Sequence, residues 1–403
     1  MTMVPFHGED IAMSPSQCNL DDRIIVDDTV LKTVGHNPYY LSVSSDLGDP
    51  VTVEGRSYIN LASNNYLGLA NDARLKDAYI GAIRRYGVSM CATPIAGGYT
   101  DLFDAVQQSL SSFIGVERVL VYPSCTQANN GIFSALAKKS DVIIFDRCAH
   151  ASLIQGIRAV GCRAYPFSHN DVDCLQYVLS RAQDHVRMFV VTESVFSTEG
   201  SIAPFRKIYD LCMSTGAVPV VDDSHGIGVI GSHGRGILEY SGIENYQGVY
   251  TASLGKAFAN NCGVVGGSHS LIDYLRYFSA NLVYSTAVAP CVLAGVLQTI
   301  KIVEQEFPTL ARKLYSYHAV IKKTLRESGY DIVDSSAPIN SIKAGSTEET
   351  IAVAKKLFDN GIFSTPFVFP SVPKREGRVR LIAGANLRES TIERAVRTFR
   401  ELA

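Results

Sequence analysis

The chain has 403 residues, of which 46% are apolar, and its formal net charge at pH 7 is −2. This length exceeds that of one ordinary domain and predicts a large domain joined to a smaller one. Because the basic residues are scattered along a nearly neutral chain, we expect neither a nucleic-acid partner nor an anionic membrane surface.

The N-terminal segment, residues 1–58, is predicted to form an arm followed by a hairpin. Residues 1–40 are polar and irregular, and they lack the basic segment and apolar stretch of a signal peptide. Pro50–Val53 and Tyr58–Leu61, with a glycine between them, have the pattern of two short strands. Asn71 is then predicted to cap a helix, because apolar residues recur at helical spacing: Leu75, Tyr79 and Ile83.

From residue 59 to residue 288, strand-like and helical segments alternate, which predicts the large domain. The strand-like runs are apolar on both faces: Val119–Tyr122, Val142–Phe145, Met188–Thr192, Val218–Val221, Val249–Thr251 and Val264–Val265. Helical segments separate most of them: 127–137, 152–160, 172–182 and 204–213. This pattern indicates an α/β fold with a mainly parallel sheet covered by helices on both faces.

Residues 289–403 have a different pattern and are predicted to form a smaller α+β domain. The expected elements are two long helices, three short strands and a last helix, at about 291–306, 309–327, 330–333, 339–342, 378–382 and 389–402.

The cysteines and the hydropathy bear on the compartment. The nine cysteines are odd in number and form no paired spacing, which favours reduced thiols in a cytoplasmic protein over a disulfide framework or a zinc site. No apolar run is long enough to span a bilayer. We therefore expect a cytoplasmic protein without a metal site or a membrane span.

The residues that follow each strand are candidate ligand contacts, because ligands bind outside the carboxyl ends of the strands in an open parallel sheet. Ser124, with Cys125 and Thr126, opens a helix after one strand, and hydroxyls and free amides there favour a phosphate. A simple N-cap role for Ser124 is the alternative. His150 lies in the next strand-to-helix loop, where an imidazole either stacks on a planar ring or is structural.

Three further groups follow later strands. Asp222 ends a buried strand, where its carboxylate suits a protonated ring nitrogen, and His225 lies three residues later; a helix cap is the alternative. Lys256 lies among small residues between two apolar runs. An exposed loop lysine is the ordinary explanation, whereas a desolvated lysine has a lowered pKa and suits imine chemistry. A phosphate site, a stacking ring, an acid and a lysine together meet the needs of pyridoxal phosphate.

In these motifs the sequence resembles the α-oxoamine synthases, which are fold-type-I pyridoxal-phosphate enzymes. The resemblance covers roughly residues 38–400. Its motifs occur in the family's order: Ser63–Gly68, Ser124 with Ala128–Asn129, Ala149–Ser152, Glu193–Ser197, Asp222–His225 with Gly234–Gly236, Ser253–Lys256 and Tyr284–Thr286.

The resemblance implies a role for each residue around the cofactor ring. Lys256 is expected to bond to the cofactor and to move the substrate α-proton. Asp222 is expected to keep the pyridine nitrogen protonated, and His150 to stack on the ring face. Ser197 and His225 are expected to reach the phenolic oxygen.

The resemblance also implies the groups that bind the phosphate and the substrate. Thr286 is expected to reach the phosphate of the partner subunit, so that two chains share the active sites of a homodimer. Arg380 is expected to clamp the amino-acid carboxylate as a fork, with Asn64 nearby. The phosphate is expected to be held by Ser124, the amides of Cys125 and Thr126, and Ser253.

The implied reaction joins a small amino acid to an acyl thioester, carried by coenzyme A or an acyl carrier protein, with loss of carbon dioxide. Housekeeping members carry arginine and histidine in a stretch that is Met90–Asp104 here and contains neither. Cys125 replaces the usual glycine, and Ala383–Asn386 replaces a histidine-containing segment. These departures are similar to those of quorum-sensing autoinducer synthases that make long-chain ketones.

Several alternatives remain at this point. Within the family they are a glycine C-acetyltransferase, an 8-amino-7-oxononanoate synthase and a serine palmitoyltransferase. An aminotransferase on the same fold would use a keto acid and no thioester. A non-catalytic relative would need neither Lys256 nor Asp222.

Overall fold

A computed structural model describes residues 28–182 and 186–403. Most of the predicted arm, residues 1–40, lies outside the described residues. The first described element is helix α1 (Thr29–Val34), and the predicted hairpin follows as β1 (Val51–Val53) and β2 (Arg56–Asn60), which pair antiparallel.

A seven-stranded sheet has the strand order β3-β9-β8-β7-β6-β4-β5. Neighbouring strands from β8 to β5 pair in parallel, whereas β9 is antiparallel to both of its neighbours. The predicted mainly parallel sheet is therefore confirmed. Its strands are β3 (Arg118–Tyr122), β4 (Val142–Asp146), β5 (Arg163–Phe167), β6 (Met188–Glu193), β7 (Val218–Asp222), β8 (Val249–Ser253) and β9 (Gly263–Gly267).

The strands are apolar on both faces because each face packs into its own core. In β3, Val119 and Val121 belong to one hydrophobic cluster, and Leu120 and Tyr122 belong to another. Successive side chains of a strand point to opposite faces, so a strand buried on both sides has no polar alternation. The helices of this part of the chain are α2 (Ala73–Tyr86), α3 (Asp101–Ile114), α4 (Cys125–Leu136), α5 (Ala151–Val160), α6 (Val172–Arg181), α7 (Phe205–Thr215), α8 (Ile237–Tyr240), α9 (His269–Phe278) and α10 (Ala280–Val283).

Two local predictions in this part of the chain were wrong or incomplete. The N-cap of α2 is Asp72 rather than Asn71, and the Asp72 carboxylate accepts a hydrogen bond from the backbone N–H of Arg74 (2.9 Å). Strand β5 was not predicted. Four of its five residues are exposed at the sheet edge, so buried and exposed residues do not alternate, and Pro166 interrupts the strand pattern.

The two long helices predicted after residue 290 are one helix, α11 (Pro290–Glu327), with Pro308 inside it. A proline removes one helical hydrogen bond and usually ends or kinks a helix. Here Phe307 and Leu314 on either side of Pro308 are buried in the same cluster, so tertiary packing holds both halves of the helix against the core. The predicted break was therefore wrong.

A three-stranded antiparallel sheet of order β10-β13-β12 follows α11. The predicted strand at Tyr330–Val333 is a single bridge between Ile332 and Ile342 rather than a strand. The elements after α11 are β10 (Asn340–Gly345), α12 (Thr347–Asp359), β11 (Ile362–Phe363), β12 (Thr365–Phe367), β13 (Gly377–Leu381) and α13 (Glu389–Glu401).

The N-terminal hairpin packs with this C-terminal part of the chain. β11 pairs in parallel with β2, and Ile59 and Leu61 share a buried cluster with Leu381. The division of the chain into domains stays a prediction. Across residues 28–182 and 186–403, no helix has both the length and the apolar character needed to cross a bilayer.

Candidate active site

Of the parallel strands that end at one edge of the large sheet, four end in a polar residue. These residues are Asp146 in β4, Glu193 in β6, Asp222 in β7 and Ser253 in β8. A cavity of about 150 Å³ lies at this edge. Eight of the predicted site residues line it: Ser124, Cys125, Thr126, His150, Asp222, His225, Ser253 and Lys256.

Asp222 is buried at the end of β7, where two neutral donors hold its carboxylate. Asn129 Nδ2 donates to Asp222 Oδ2 (2.8 Å), and the backbone N–H of Ser224 donates to Oδ1 (3.0 Å). Thr251 Oγ1 donates to Asn129 Oδ1 (2.8 Å), which fixes the orientation of the Asn129 amide. Neither donor neutralises the carboxylate, so its charge remains available to a cation in the cavity.

Lys256 lies on the loop between β8 and β9, which folds back on itself. The backbone N–H of Leu254 donates to Cys262 O (2.9 Å), and that of Asn260 donates to Leu254 O (2.8 Å). Burial lowers the pKa of Lys256, although the negative charge of Asp222 opposes this effect. A lowered pKa leaves more of the amine unprotonated at neutral pH, as imine formation requires.

His150 lies in the strand-to-helix loop that the sequence predicted, four residues after the end of β4, and is the N-cap of α5. The backbone N–H of Ser152 donates to His150 Nδ1 (3.2 Å), and Asn129 Nδ2 donates to Ser152 Oγ (2.9 Å). Burial lowers the pKa of His150, which keeps the ring neutral at pH 7. His150 therefore caps a helix and also lines the cavity, whereas its stacking on the cofactor ring stays a prediction.

The first turn of α4 forms another part of the cavity wall. Ser124 is the N-cap, and its Oγ accepts a hydrogen bond from the backbone N–H of Gln127 (3.2 Å). Gly263 packs directly on this turn, because a Cβ at Gly263 would lie 2.3 Å from the nitrogen of Cys125. The N-terminus of an α-helix carries free amides and a partial positive charge, so this end suits an anion.

His225 is buried beside Tyr66, which was not predicted to be a site residue. Tyr66 Oη lies 2.8 Å from His225 Nδ1. Burial, together with the positive charges of Lys256 and Arg380, holds the pKa of His225 well below its ordinary value. The His225 ring is therefore neutral, and its Nδ1 shares a hydrogen bond with the Tyr66 hydroxyl.

Arg380 is a buried cation in β13. Arg380 Nη1 donates to the carbonyl oxygen of Ser197 (3.1 Å), and its guanidinium carbon lies 4.8 Å from the centre of the Phe367 ring. Among the described residues, Arg380 Nε has no hydrogen-bond partner, although it is buried. The buried Asn64 Oδ1 also lacks one. A buried, unpaired guanidinium is costly, so Arg380 is suited to bind an anionic ligand.

Four predicted site residues do not line the cavity: Asn64, Arg380, Ser197 and Thr286. Ser197 contributes its carbonyl oxygen to Arg380, and Thr286 is exposed on the segment after α10. The neighbour of Thr286, Ser285, accepts a hydrogen bond from Gln127 Nε2 (2.8 Å) in the first turn of α4. The side-chain roles of Ser197 and Thr286 stay predictions.

Several residues that line the cavity were not predicted to have a role: Asn129, Ser152, Glu193, Ser224, Asn261 and Cys262. Glu193 stands opposite Asp222 in the β6–β7 register. Burial and the neighbouring Asp222 raise the pKa of Glu193 well above its ordinary value. Only its position in the sequence could have indicated Glu193 as a site residue, because Glu193 ends a strand as Asp222 does.

The residues at this site fit pyridoxal phosphate. A buried carboxylate faces the cavity, and the cavity also contains a lysine whose pKa is lowered. The phosphate end is a helix N-terminus against a glycine that leaves no room for a side chain. These are the acid, the amine and the anion site that the cofactor requires.

Comparisons with known proteins agree with this fit. The family model "Aminotransferase class I and II" matches residues 56–399. The chain is 34% identical over 353 residues to the 8-amino-7-oxononanoate synthase of Alkaliphilus metalliredigens (strain QYMF), covering 87% of this chain and 89% of that protein.

Two solved structures share the fold. The serine palmitoyltransferase of Sphingomonas wittichii has a TM-score of 0.88 at 25% identity, covering 95% of this chain and 96% of that chain. The 8-amino-7-oxononanoate synthase of Francisella tularensis has a TM-score of 0.74 at 26% identity, covering 85% of this chain and 97% of that chain.

Proposed function

Because the chain belongs to the aminotransferase class I and II family, and within it to the pyridoxal-phosphate-dependent α-oxoamine synthases, we propose that it condenses a small amino acid with a medium- or long-chain acyl thioester. A carbon–carbon bond forms between the amino-acid α-carbon and the acyl carbonyl carbon. The thioester bond breaks and releases a free thiol, and the amino-acid carboxylate leaves as carbon dioxide. The product is an α-amino ketone.

The observation that carries this proposal is the buried Arg380, whose Nε has no hydrogen-bond partner among the described residues, in a protein that also carries a buried lysine of lowered pKa. Arg380 binds the amino-acid carboxylate through its free Nε, and Asn64 offers a buried acceptor. Arg380 also keeps this carboxylate in a fixed orientation until it is lost. A guanidinium fork is suited to this task because it presents parallel donors to both carboxylate oxygens.

The remaining residues hold the cofactor and move protons. Bound pyridoxal phosphate supplies an aldehyde that bonds to amines and a ring that withdraws electrons from the adjacent carbon. Lys256 would hold the cofactor through Nζ and would move the α-proton. Asp222 would supply the acid for the pyridine nitrogen, and the neutral His150 ring would pack against the cofactor. The amides of Cys125 and Thr126 would bind the phosphate.

A second cavity, lined mainly by apolar side chains together with Gln107 and Arg276, is the candidate site for the acyl chain. Its volume is about 190 Å³, and four residues of the stretch that lacks arginine and histidine line it: Pro94, Ile95, Tyr99 and Phe103. Leu282 and Val283 also line it, and the chain continues from them to Ser285, which is bonded to the first turn of α4. A short segment of the chain therefore connects this cavity to the first turn of α4.

Formation of an autoinducer or another secondary metabolite is the pathway that we propose for this product. The 34% identity to an 8-amino-7-oxononanoate synthase favours a housekeeping reaction as the second candidate. An aminotransferase reaction on the same fold would release no thiol.

The test is a mass-spectrometric product screen of small amino acids against acyl-CoA thioesters from acetyl to palmitoyl and against pimeloyl-CoA. We expect the largest kcat/KM with an unbranched medium or long acyl chain. Ile95→Glu should lower kcat/KM for decanoyl-CoA about tenfold and leave acetyl-CoA unchanged, because two lost methylene contacts cost about 1.6 kcal/mol. The control is Val88→Glu, which changes an exposed residue outside the cavity. A strict preference for acetyl-, succinyl- or pimeloyl-CoA would refute the proposed acyl chain.

We also propose that the enzyme is a cytoplasmic homodimer in which Thr286 of each chain reaches the phosphate site of its partner. The exposed position of Thr286, outside the cavity of its own chain, supports this arrangement. Carriage of the acyl group by coenzyme A, rather than by an acyl carrier protein, is part of the same proposal.

A further inference from the structure

A line of alternating charges crosses from the large sheet to β13, the strand that carries Arg380. It consists of Asp146, His169, Glu199 and Arg378, in that spatial order. Asp146 ends β4 four residues before His150, and Arg378 precedes Arg380 by two residues in β13. The line therefore connects the strand that leads to one side of the site with the strand that carries the carboxylate-binding candidate.

His169 occupies the centre of this line and uses both ring nitrogens. Nδ1 lies 3.0 Å from Asp146 Oδ1, and Nε2 lies 2.8 Å from Glu199 Oε1. The ring also packs edge-on against Phe196, with centroids 4.3 Å apart. Although burial opposes protonation, the hydrogen bonds to carboxylates raise the pKa of His169 to about 11. His169 is therefore a cation at neutral pH.

Asp146 is anchored independently of His169. It is buried, and its carboxylate accepts hydrogen bonds from the backbone N–H groups of Cys148 (2.8 Å) and Asn170 (2.9 Å). These bonds join the loop after β4 to the loop after β5. One end of the charged line is thus fixed to the large sheet.

Glu199 connects His169 to the C-terminal sheet. Glu199 Oε2 accepts a hydrogen bond from Arg378 Nη1, and Oε1 accepts one from Ser201 Oγ (2.9 Å). Burial would raise the pKa of Glu199, but the hydrogen bonds from His169 and Arg378 hold it at about 2. The carboxylate therefore stays charged between two cations.

The two residues before Glu199 are hydrogen-bonded to β13 and β10. Arg380 Nη1 donates to Ser197 O, and Ser341 Oγ in β10 donates to Thr198 O. Ser341 and Arg380 are register partners in the β10–β13 pair. Residues 197, 198 and 199 consequently each contact the paired strands β10 and β13.

We propose that His169 and Glu199 are positioning residues for Arg380: through Arg378 they fix β13, and through the 197–199 segment they hold the guanidinium in the orientation that binds the substrate carboxylate. This inference rests on the proposed function, because it assigns the amino-acid carboxylate to Arg380. Removing the charge of Glu199 leaves His169 and Arg378 as facing cations without a shared partner, so β13 shifts and the Arg380 fork no longer meets both carboxylate oxygens.

The experiment measures equilibrium binding to the holoenzyme by the change in cofactor absorbance. The probes are glycine, L-alanine and L-serine, each paired with its carboxylate-free analogue: methylamine, ethylamine and ethanolamine. In Glu199→Gln we expect about tenfold weaker binding of the amino acids, as for the loss of one charged hydrogen bond, and less than twofold change for the amines. Glu376→Gln is the matched control, because Glu376 Oε2 lies 3.8 Å from the same Arg378 but is exposed and outside the line.

The outcomes separate this inference from the proposed function. Equal weakening of acids and amines in Glu199→Gln, or unchanged binding of both, overturns the positioning role. If that variant does not fold, His169→Gln gives the same comparison from the other side of Glu199. Arg380→Gln tests the premise: unchanged amino-acid binding there refutes the role of Arg380, whereas a loss in Arg380→Gln without a loss in Glu199→Gln refutes only the positioning role.

Discussion

Gly263→Ala should strongly weaken cofactor binding, through the phosphate end of the site and not through the cofactor ring. Gly263 is the first residue of β9 and packs on the first turn of α4. A Cβ there would lie 2.3 Å from the nitrogen of Cys125, 2.4 Å from the carbonyl carbon of Ser124 and 2.5 Å from the Cα of Cys125. All three are backbone atoms, so no side-chain rotation relieves the overlap.

The expected magnitude follows from these distances. Carbon atoms pack at about 3.5–4.0 Å, so the first turn of α4 must move by about 1 Å. This displacement withdraws the amides of Cys125 and Thr126 from the phosphate. Loss of one hydrogen bond to a charged group costs about 1.5–3 kcal/mol. The dissociation constant for pyridoxal phosphate should therefore rise about ten- to a hundredfold.

The assay is reconstitution of apoprotein with pyridoxal phosphate, followed by cofactor absorbance, with pyridoxal as a phosphate-free probe. Affinity should fall for pyridoxal phosphate and remain within twofold for pyridoxal. Gly266→Ala is the matched control on β9, because its Cβ would meet only side-chain atoms, with Val116 Cγ2 nearest at 3.0 Å. If Gly263→Ala bound pyridoxal phosphate as tightly as the wild type, and had the same melting temperature as the control variant, the assignment of α4 to the phosphate would be refuted.

Two further perturbations test the acid and a buried histidine. Asp222→Asn keeps an acceptor for the Ser224 amide but loses the negative charge, so the fold should persist while turnover falls about ten- to a hundredfold; wild-type turnover would contradict the role of Asp222. His318 in α11 is buried, and burial with the nearby Lys322 lowers its pKa to about 4. Because unfolded histidine takes up a proton near pH 6.5, the free energy of unfolding should fall by up to about 3 kcal/mol between pH 6.5 and pH 4. Urea titrations of His318→Gln should show a correspondingly smaller fall, and an unchanged pH dependence would exclude His318 as its source.

The sheet and most of the site could be predicted from the sequence because they depend on short-range patterns. Strands apolar on both faces, separated by helices, define a parallel sheet whose carboxyl edge collects the following residues. The predicted ends of β4, β6 and β7 therefore placed His150, Glu193 and Asp222 near one another before any distance was known.

Features that depend on long-range packing could not be predicted in this way. The helical pattern around Pro308 indicated a break, and only burial of Phe307 and Leu314 in one cluster holds α11 together. Tyr66 is separated from His225 by 159 residues, so no local pattern joins the two side chains. The sequence of β5 does not show the alternation of apolar and polar residues typical of a strand, because four of its five residues are exposed at the sheet edge.

Asn129 illustrates why the site needs tertiary structure to be understood. It was noted in a motif without a role, yet its amide accepts from Thr251 in β8 and donates to Asp222 in β7 and to Ser152, whose backbone N–H is capped by His150. One side chain on α4 thus fixes the orientation of groups that belong to two strands and a helix. An amide is needed here, since it offers an acceptor to the threonine and donors to the carboxylate and the serine at once. An aspartate in its place would present a second carboxylate to Asp222, so the neutral amide is also what allows the buried charge of Asp222 to remain available to the cofactor.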